Sequence, residues 1–280
     1  MKQIQSLIFA VLLTVLLLSS NSFAFTYSSL DFIGFSKDGK YLAFENTDYG
    51  GDGGGGFQAT YIIDTVKNSY TIAPIVIEDS DEETAKSRAA LRLYTQKLVP
   101  AALRKFGIKR GNTGGLVVSH LLSDWSCVTP FEEKRIFAEL DGTTKEVVVQ
   151  DYRDGLVRRD KSYVEKVIFN SGYDTYLQNT YEFYELTLIS SPVGGGKDED
   201  ASEFKMELTL QDKTKHRLIE PRILQKDGDI LPESRRLAYG YKIESVYVYE
   251  DKIAVFINVF GQGFEETQMD YMVVTGEMNK

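Results

Sequence analysis

The chain has 280 residues, 42% of them hydrophobic and 26% charged, with 32 Lys and Arg against 41 Asp and Glu, a formal net charge of -9 and a pI near 5.0. One cysteine excludes a disulfide scaffold, the apolar content excludes disorder and collagen-like repeats, and the acidic balance argues against a general nucleic-acid binder. With only two histidines, chemistry built on imidazole has few places to sit.

Lys2 opens the chain with a positive charge. Leu7 to Leu18 is apolar but for Thr14, and Ser22-Phe23-Ala24 places small residues three and one before a cut. This order predicts a secretory signal peptide, residues 1–24, cleaved after Ala24. The apolar run is shorter than the roughly 18 residues a membrane span needs, and no later segment is apolar enough to span. The expected destination is the periplasm or the exterior. The remaining chain, 25–280, is expected to form a single mainly-β domain carrying 31 basic and 41 acidic groups, a charge of -10. Cys127 has no partner in the chain, so no internal disulfide forms. A buried, inert thiol beside Trp125 and Val128 is preferred to a reactive nucleophile.

Period-two patterns dominate the mature chain. Leu30–Phe35 and Tyr41–Glu45 flank Asp38-Gly39, a tight-turn signal. Thr60–Asp64 and Tyr70–Ala73 follow, then Leu116–Leu122, Lys134–Leu140, Glu146–Gln150, Val164–Asn170, Glu182–Ile189, Phe204–Leu210 and Lys215–Ile219. Ile243–Tyr249, Ile253–Val259 and Met269–Thr275 close the chain. Many short strands rich in Val, Ile, Tyr and Phe predict a mainly β fold: a β-propeller-like arrangement or an irregular sandwich of antiparallel strands.

A helical insertion near 79–106 breaks the rhythm. Ser80 and Glu83 have capping-box spacing, and Ser87, Leu91, Tyr94 and Leu98 fall on one face at helical spacing. Pro100 is expected to end a first helix, and Ala101–Phe106 forms a second that Gly107 caps. From Thr84 to Gly115 there are eight Lys and Arg and no acid. Outside Thr84–Arg110 the other 229 residues of the mature chain carry -18. Leu91, Tyr94 and Leu98 are expected to pack on the β core with their cations solvated or paired. The alternative is that Lys86–Arg110, with Arg88, Arg92 and Lys97 as contacts, docks on anionic lipid or an acidic partner.

The two ends repeat each other. Asp38 to Asn46 aligns with Glu250 to Asn258, keeping the turn, a Lys and a closing Asn. Each is followed by a loop ending in Gly-Phe (Gly56-Phe57, Gly263-Phe264) and then by a strand beginning at Tyr61 or Tyr271. Phe35-Ser36-Lys37-Asp38-Gly39-Lys40-Tyr41-Leu42-Ala43-Phe44 resembles the repeat of TolB-type β-propellers, with Lys37 where that repeat has Pro. Phe32 to Phe35 running on to Tyr61–Asp64, together with Gly240–Val246, Lys252–Phe256 and Tyr271–Gly276, resembles both ends of a bacterial family of predicted secreted proteins of unknown function. That resemblance implies export and a shared fold, and it brings no catalytic residues with it.

Several chemistries lack their residues. There is no Gly-x-Ser-x-Gly elbow, no Walker loop, and no zinc-ligand spacing. His120 lies in the apolar run Val117–Leu122, where a structural role is expected, and His216 lies in a lysine-rich turn. The tract Asp48 to Gly56 holds six glycines in its last seven positions. It reads as a wide loop, with Asp48 and Asp52 as candidate Ca²⁺ ligands. The preferred function is a non-enzymatic binding or interaction module of the bacterial envelope, with a protein or small ligand as partner. The rivals are a carboxylate-based, glycan-directed hydrolase, favoured by a cleft with two carboxyls roughly 5–10 Å apart, and a purely structural envelope protein.

Overall fold

The computed structural model describes residues 25–48, 56–78, 85–120, 131–138, 144–151, 163–170, 182–193, 203–213, 220–232, 235, 238–262 and 267–278. The signal peptide, Asp52, Trp125, Cys127 and His216 lie outside these residues, as does the expected strand Lys215–Ile219.

The N-terminal repeat is an antiparallel meander of β1 (Phe25–Phe35), β2 (Tyr41–Asp48) and β3 (Phe57–Asp64). Two short strands, β4 (Ser69–Tyr70) and β5 (Ile75–Glu78), pair with β3. Asp38-Gly39 makes the expected β1–β2 turn, with Gly39 at φ 66° and the Ser36 hydroxyl donating to Asp38 Oδ1 at 2.6 Å. The C-terminal repeat is a second meander of β13 (Ala238–Tyr249), β14 (Lys252–Gln262) and β15 (Thr267–Glu277), with Glu250 at φ 53° in its turn. Between the repeats come β6 (Gly115–Ser119), which pairs with β13, and the hairpin β7 (Phe131–Ala138) and β8 (Thr144–Asp151). A four-stranded sheet follows, ordered β12 (Arg222–Lys226), β11 (Phe204–Asp212), β10 (Phe183–Pro192), β9 (Tyr163–Asn170).

These sheets stack as layers, so of the two expected architectures the sandwich is the one formed. Strand β1 pairs in parallel with β15 only from Phe25↔Thr267 to Tyr27↔Met269. It then carries β2 and β3 across the face of β13–β15. Side-chain alternation reports the stacking. Along β14, Ile253, Val255, Ile257 and Val259 face a core shared with Tyr184, Leu186, Leu188, Met206 and Leu208 of the four-stranded sheet. Ala254 and Phe256, pointing the other way, share a second core with Phe32, Phe35, Leu42 and Phe44. A strand buried on both faces is mostly apolar, which is why β14 runs apolar from Ile253 to Ile257 before Asn258 interrupts it. Strands β10 and β11, with one face less buried, alternate instead, from Phe183 to Ser191 and from Phe204 to Gln211.

The helical insertion forms the outermost layer. Helix α1 (Ala85–Leu93) runs through a π-helical turn (Tyr94–Leu98) into α2 (Val99–Lys105), and Gly107 closes it at φ 65°. Pro100 therefore does not end the first helix. The π turn, closed by the Val99 N–H on the Tyr94 carbonyl, accommodates the donor and space that proline removes from an α ladder. The extra residue also rotates the packing face. Tyr94, Val99, Ala102 and Leu103 pack on Ile33, Ala43 and Ile62, the far faces of β1–β3. Leu91 and Leu98, expected in that face, are 46% and 45% exposed.

Candidate functional site

The two meanders lie in the same sense. At the turn end Tyr249 stacks on Phe35 and donates its hydroxyl to the Lys37 carbonyl at 3.0 Å. Phe32, Phe44, Tyr247 and Phe256 interlock behind it, with ring centroids 4.6 to 5.7 Å apart. Two residues further along β2 and β14, on the same faces as Phe44 and Phe256, the packing turns polar at Asn46 and Asn258. These are the closing asparagines of the repeat. They are 0% and 5% exposed, and the side-chain Oδ1 of each is buried without a hydrogen-bond partner among the described residues. Buried polar atoms in native folds are nearly always paired, so two orphan oxygens at repeat-equivalent positions call for a ligand or water.

Asp270 is where the two repeats join at this end. Its Oδ1 accepts from the Asn46 side-chain amide, 224 residues away in sequence, and from the Tyr271 N–H at 2.7 Å. No described residue donates to its Oδ2. Burial pushes the Asp270 carboxyl above the ordinary carboxylate range, its two hydrogen bonds oppose that rise, and the charge of nearby Asp48 adds to it. Asp48, the last residue of β2, is half-buried beside the start of the β2–β3 connection. Two tyrosines complete the surroundings. Tyr61, opposite Phe44, and Tyr271, opposite Asn258, are both pushed well above the usual tyrosine range by burial, with the Asp270 charge contributing. Asn258 sits across the ladder from Tyr271. The group is rich in oxygen, carries paired negative charge, and is partly withdrawn from water.

Of the residues proposed from sequence, Asp48 belongs to this group and Asp52 lies outside the described residues. Arg88 is on α1, with its side chain outside the description. Arg92 and Lys97 are exposed on the helical layer, which covers the opposite face of β1–β3. The two sets are therefore separate. Asp270, Asn46 and Asn258 were not proposed as site residues, although the closing Asn of the repeat marked two of them. Among the described residues, no three His, Cys, Asp or Glu stand together as a metal cluster.

The other buried carboxylates serve the frame. Bulges between Ala238 and Gly240 and between Ile243 and Ser245 interrupt the β13–β14 register, and β6 pairs no further than Ser119. The Ile243 N–H is taken by Glu165 Oε2 at 2.9 Å, and the Ile243 carbonyl contacts His120 Nδ1 at 2.6 Å. Asp227 accepts two bonds from Arg235, at 2.6 and 2.7 Å, and one from the Met206 N–H. Glu45 takes Arg110 at 3.2 Å. Glu244, the bulged residue of β13, differs: its Oε2 is buried without a described partner, and burial raises its carboxyl, with His120 opposing.

A family model described as predicted secreted protein (DUF2259) matches residues 177–277, which include β10 to β15 and the Asp270 and Asn258 half of the site. No curated protein and no solved structure matches the chain. The family match supports export, and no helix among the described residues is long and apolar enough to cross a membrane.

Proposed function

We propose that the protein, released by cleavage after Ala24, is a non-enzymatic binding module of the bacterial envelope, and that its ligand is held where the two repeats meet, by Asn46, Asp48, Asn258 and Asp270. The observation carrying this reading is the pair of buried, unpaired asparagine oxygens at equivalent repeat positions. Away from the junction, Glu165, Asp227 and Glu45 are spent on backbone and arginine donors of the frame, so a hydrolase would have to use Asp270 and Asp48 themselves. A general acid and its partner base need to face a substrate instead.

Thermal unfolding of the purified exported protein with CaCl₂, MgCl₂, lysine amide and a chitooligosaccharide tests the reading, alongside an assay for new reducing ends. The expected result is a rise in Tm with at least one probe, lost in Asn46→Ala, and no release of sugar. Sugar release abolished by Asp270→Asn, or no response to any probe, overturns it.

A second reading concerns the helical layer. Leu91, Leu93 and Leu98 are 46%, 47% and 45% exposed beside Arg92 and Lys97. This supports docking of Lys86–Arg110 on an anionic lipid surface. Co-sedimentation with anionic vesicles at physiological salt, unchanged in Arg92→Glu/Lys97→Glu, overturns that contact.

A further inference from the structure

The ligand can be narrowed by the chemistry of its donors. We infer that the group at the repeat junction binds a hard divalent cation of the Ca²⁺ class, with Asp270 and Asp48 as carboxylate ligands and the Asn46 amide oxygen as a third. The inference rests on the reading that this junction is the binding site, and it adds what is bound.

Three independent features point the same way. First, every candidate donor is an oxygen, and carboxylates with amide oxygens are the donor set that Ca²⁺ takes, its remaining positions filled by water or backbone carbonyls. Among the described residues no thiolate or imidazole stands at the junction, so zinc-like metals have no preferred ligand there. Second, Asn46 is 0% exposed, and its Oδ1 has no described partner although its amide nitrogen is held on Asp270. A buried oxygen without a described partner, on an amide held by Asp270, is a donor that a cation beside Asp270 would satisfy. Third, both described bonds to Asp270 fall on Oδ1, which leaves Oδ2 for a ligand, and Asp48 brings a second negative charge close enough to be felt by Asp270. A second carboxylate in the neighbourhood of Asp270 adds to the site's preference for a cation.

Asn258 enlarges the set without entering the first coordination shell by contact. It faces the same interlayer space from the second repeat, with its own Oδ1 unpaired. A cation with bound water between the layers gives this oxygen a partner through that water.

Tb³⁺, a luminescent stand-in for Ca²⁺ that tyrosine sensitises, tests the inference directly, because Tyr61 and Tyr271 both lie near Asp270. After treatment with EDTA, the exported protein is titrated with Tb³⁺, excited through tyrosine, and then challenged with Ca²⁺. The expected result is sensitised emission that Ca²⁺ displaces, with affinity for both ions at least tenfold weaker in Asp270→Asn and several-fold weaker in Asn46→Ala. Asp270→Asn is nearly isosteric and keeps an acceptor for the Tyr271 N–H, so folding, checked by circular dichroism, is retained. Emission that Ca²⁺ does not displace, or that survives Asp270→Asn unchanged, overturns the cation. If Tb³⁺ and Ca²⁺ fail to bind while lysine amide still raises the Tm through Asn46, the cation is wrong and the binding site stands. If neither binds, both fall.

Discussion

Phe44 and Phe256, equivalent residues of the two repeats, meet edge to face between the meanders, with ring centroids 5.6 Å apart and planes at 84°. The sequence repeat thus packs on itself, and this contact is its centre. Each ring is about 1% exposed or less. Truncating either to alanine is expected to cost about 3–5 kcal/mol, as buried Phe→Ala changes do. A double-mutant cycle in urea is expected to return a coupling of about 0.5–1.5 kcal/mol. Additive losses contradict direct packing of the repeats.

Gly34 is placed by a close approach. It lies at φ 139°, where β1 bulges, and a Cβ there comes within 2.9 Å of the Asn112 and Lys109 carbonyl oxygens. The bulge lets the chain after α2 clip onto β1: the Phe35 N–H donates to the Asn112 carbonyl and the Gly111 N–H to the Ile33 carbonyl. Gly34→Ala is expected to lose at least about 1–3 kcal/mol, because backbone strain and overlap act together. Unfolding at the wild-type midpoint contradicts this placement.

Arg235 and Asp227 form an ion pair whose side chains are 9% and 1% exposed, with Asp227 also holding the Met206 N–H. Removing one partner leaves the other charged and buried. Arg235→Met is therefore expected to cost about 3–5 kcal/mol, read from chemical denaturation. A loss below 1 kcal/mol would place the pair in solvent.

Glu244 gives the fold a pH dependence of known sign. Burial raises its folded-state pKa above the ordinary 4.5, so across the window from 4.5 up to that raised value the folded protein holds more protons than the unfolded chain. Stability from this group is then greatest at low pH and declines as pH rises through the window. Glu244→Gln is expected to flatten that decline in Tm between pH 4 and 7, while wild type retains it.

Local chemistry was legible in the sequence wherever a short segment decides the structure. Asp38-Gly39 specified its turn, and Ile253–Val259 was legible as a strand, though not as one that faces two cores. The helix was legible as a helix but not in its face: positions counted at 3.6 residues put Leu98 inward, whereas the π turn hands that place to Val99. Strand β12 is not legible in the sequence because Arg222 and Lys226 bracket only a few apolar residues. Asp48 was found through its glycine-rich neighbourhood. Asp270 was not, because its meaning comes from Asn46, a partner 224 positions away that only the stacking of the two repeats brings near.

The central claim is that the junction of the repeats, at Asn46, Asn258 and Asp270, is the place where this protein binds. Two-dimensional ¹H–¹⁵N NMR of the exported protein, titrated with CaCl₂, tests it most directly, because the side-chain amides of Asn46 and Asn258 report on their own oxygens. These two amides and the Tyr271 backbone N–H are expected to shift together and saturate, while Arg92 and Lys97 on the helical layer stay unmoved. Shifts confined to the helix, or none at the two asparagines with CaCl₂ or, in parallel titrations, with MgCl₂, lysine amide and the chitooligosaccharide, would contradict it.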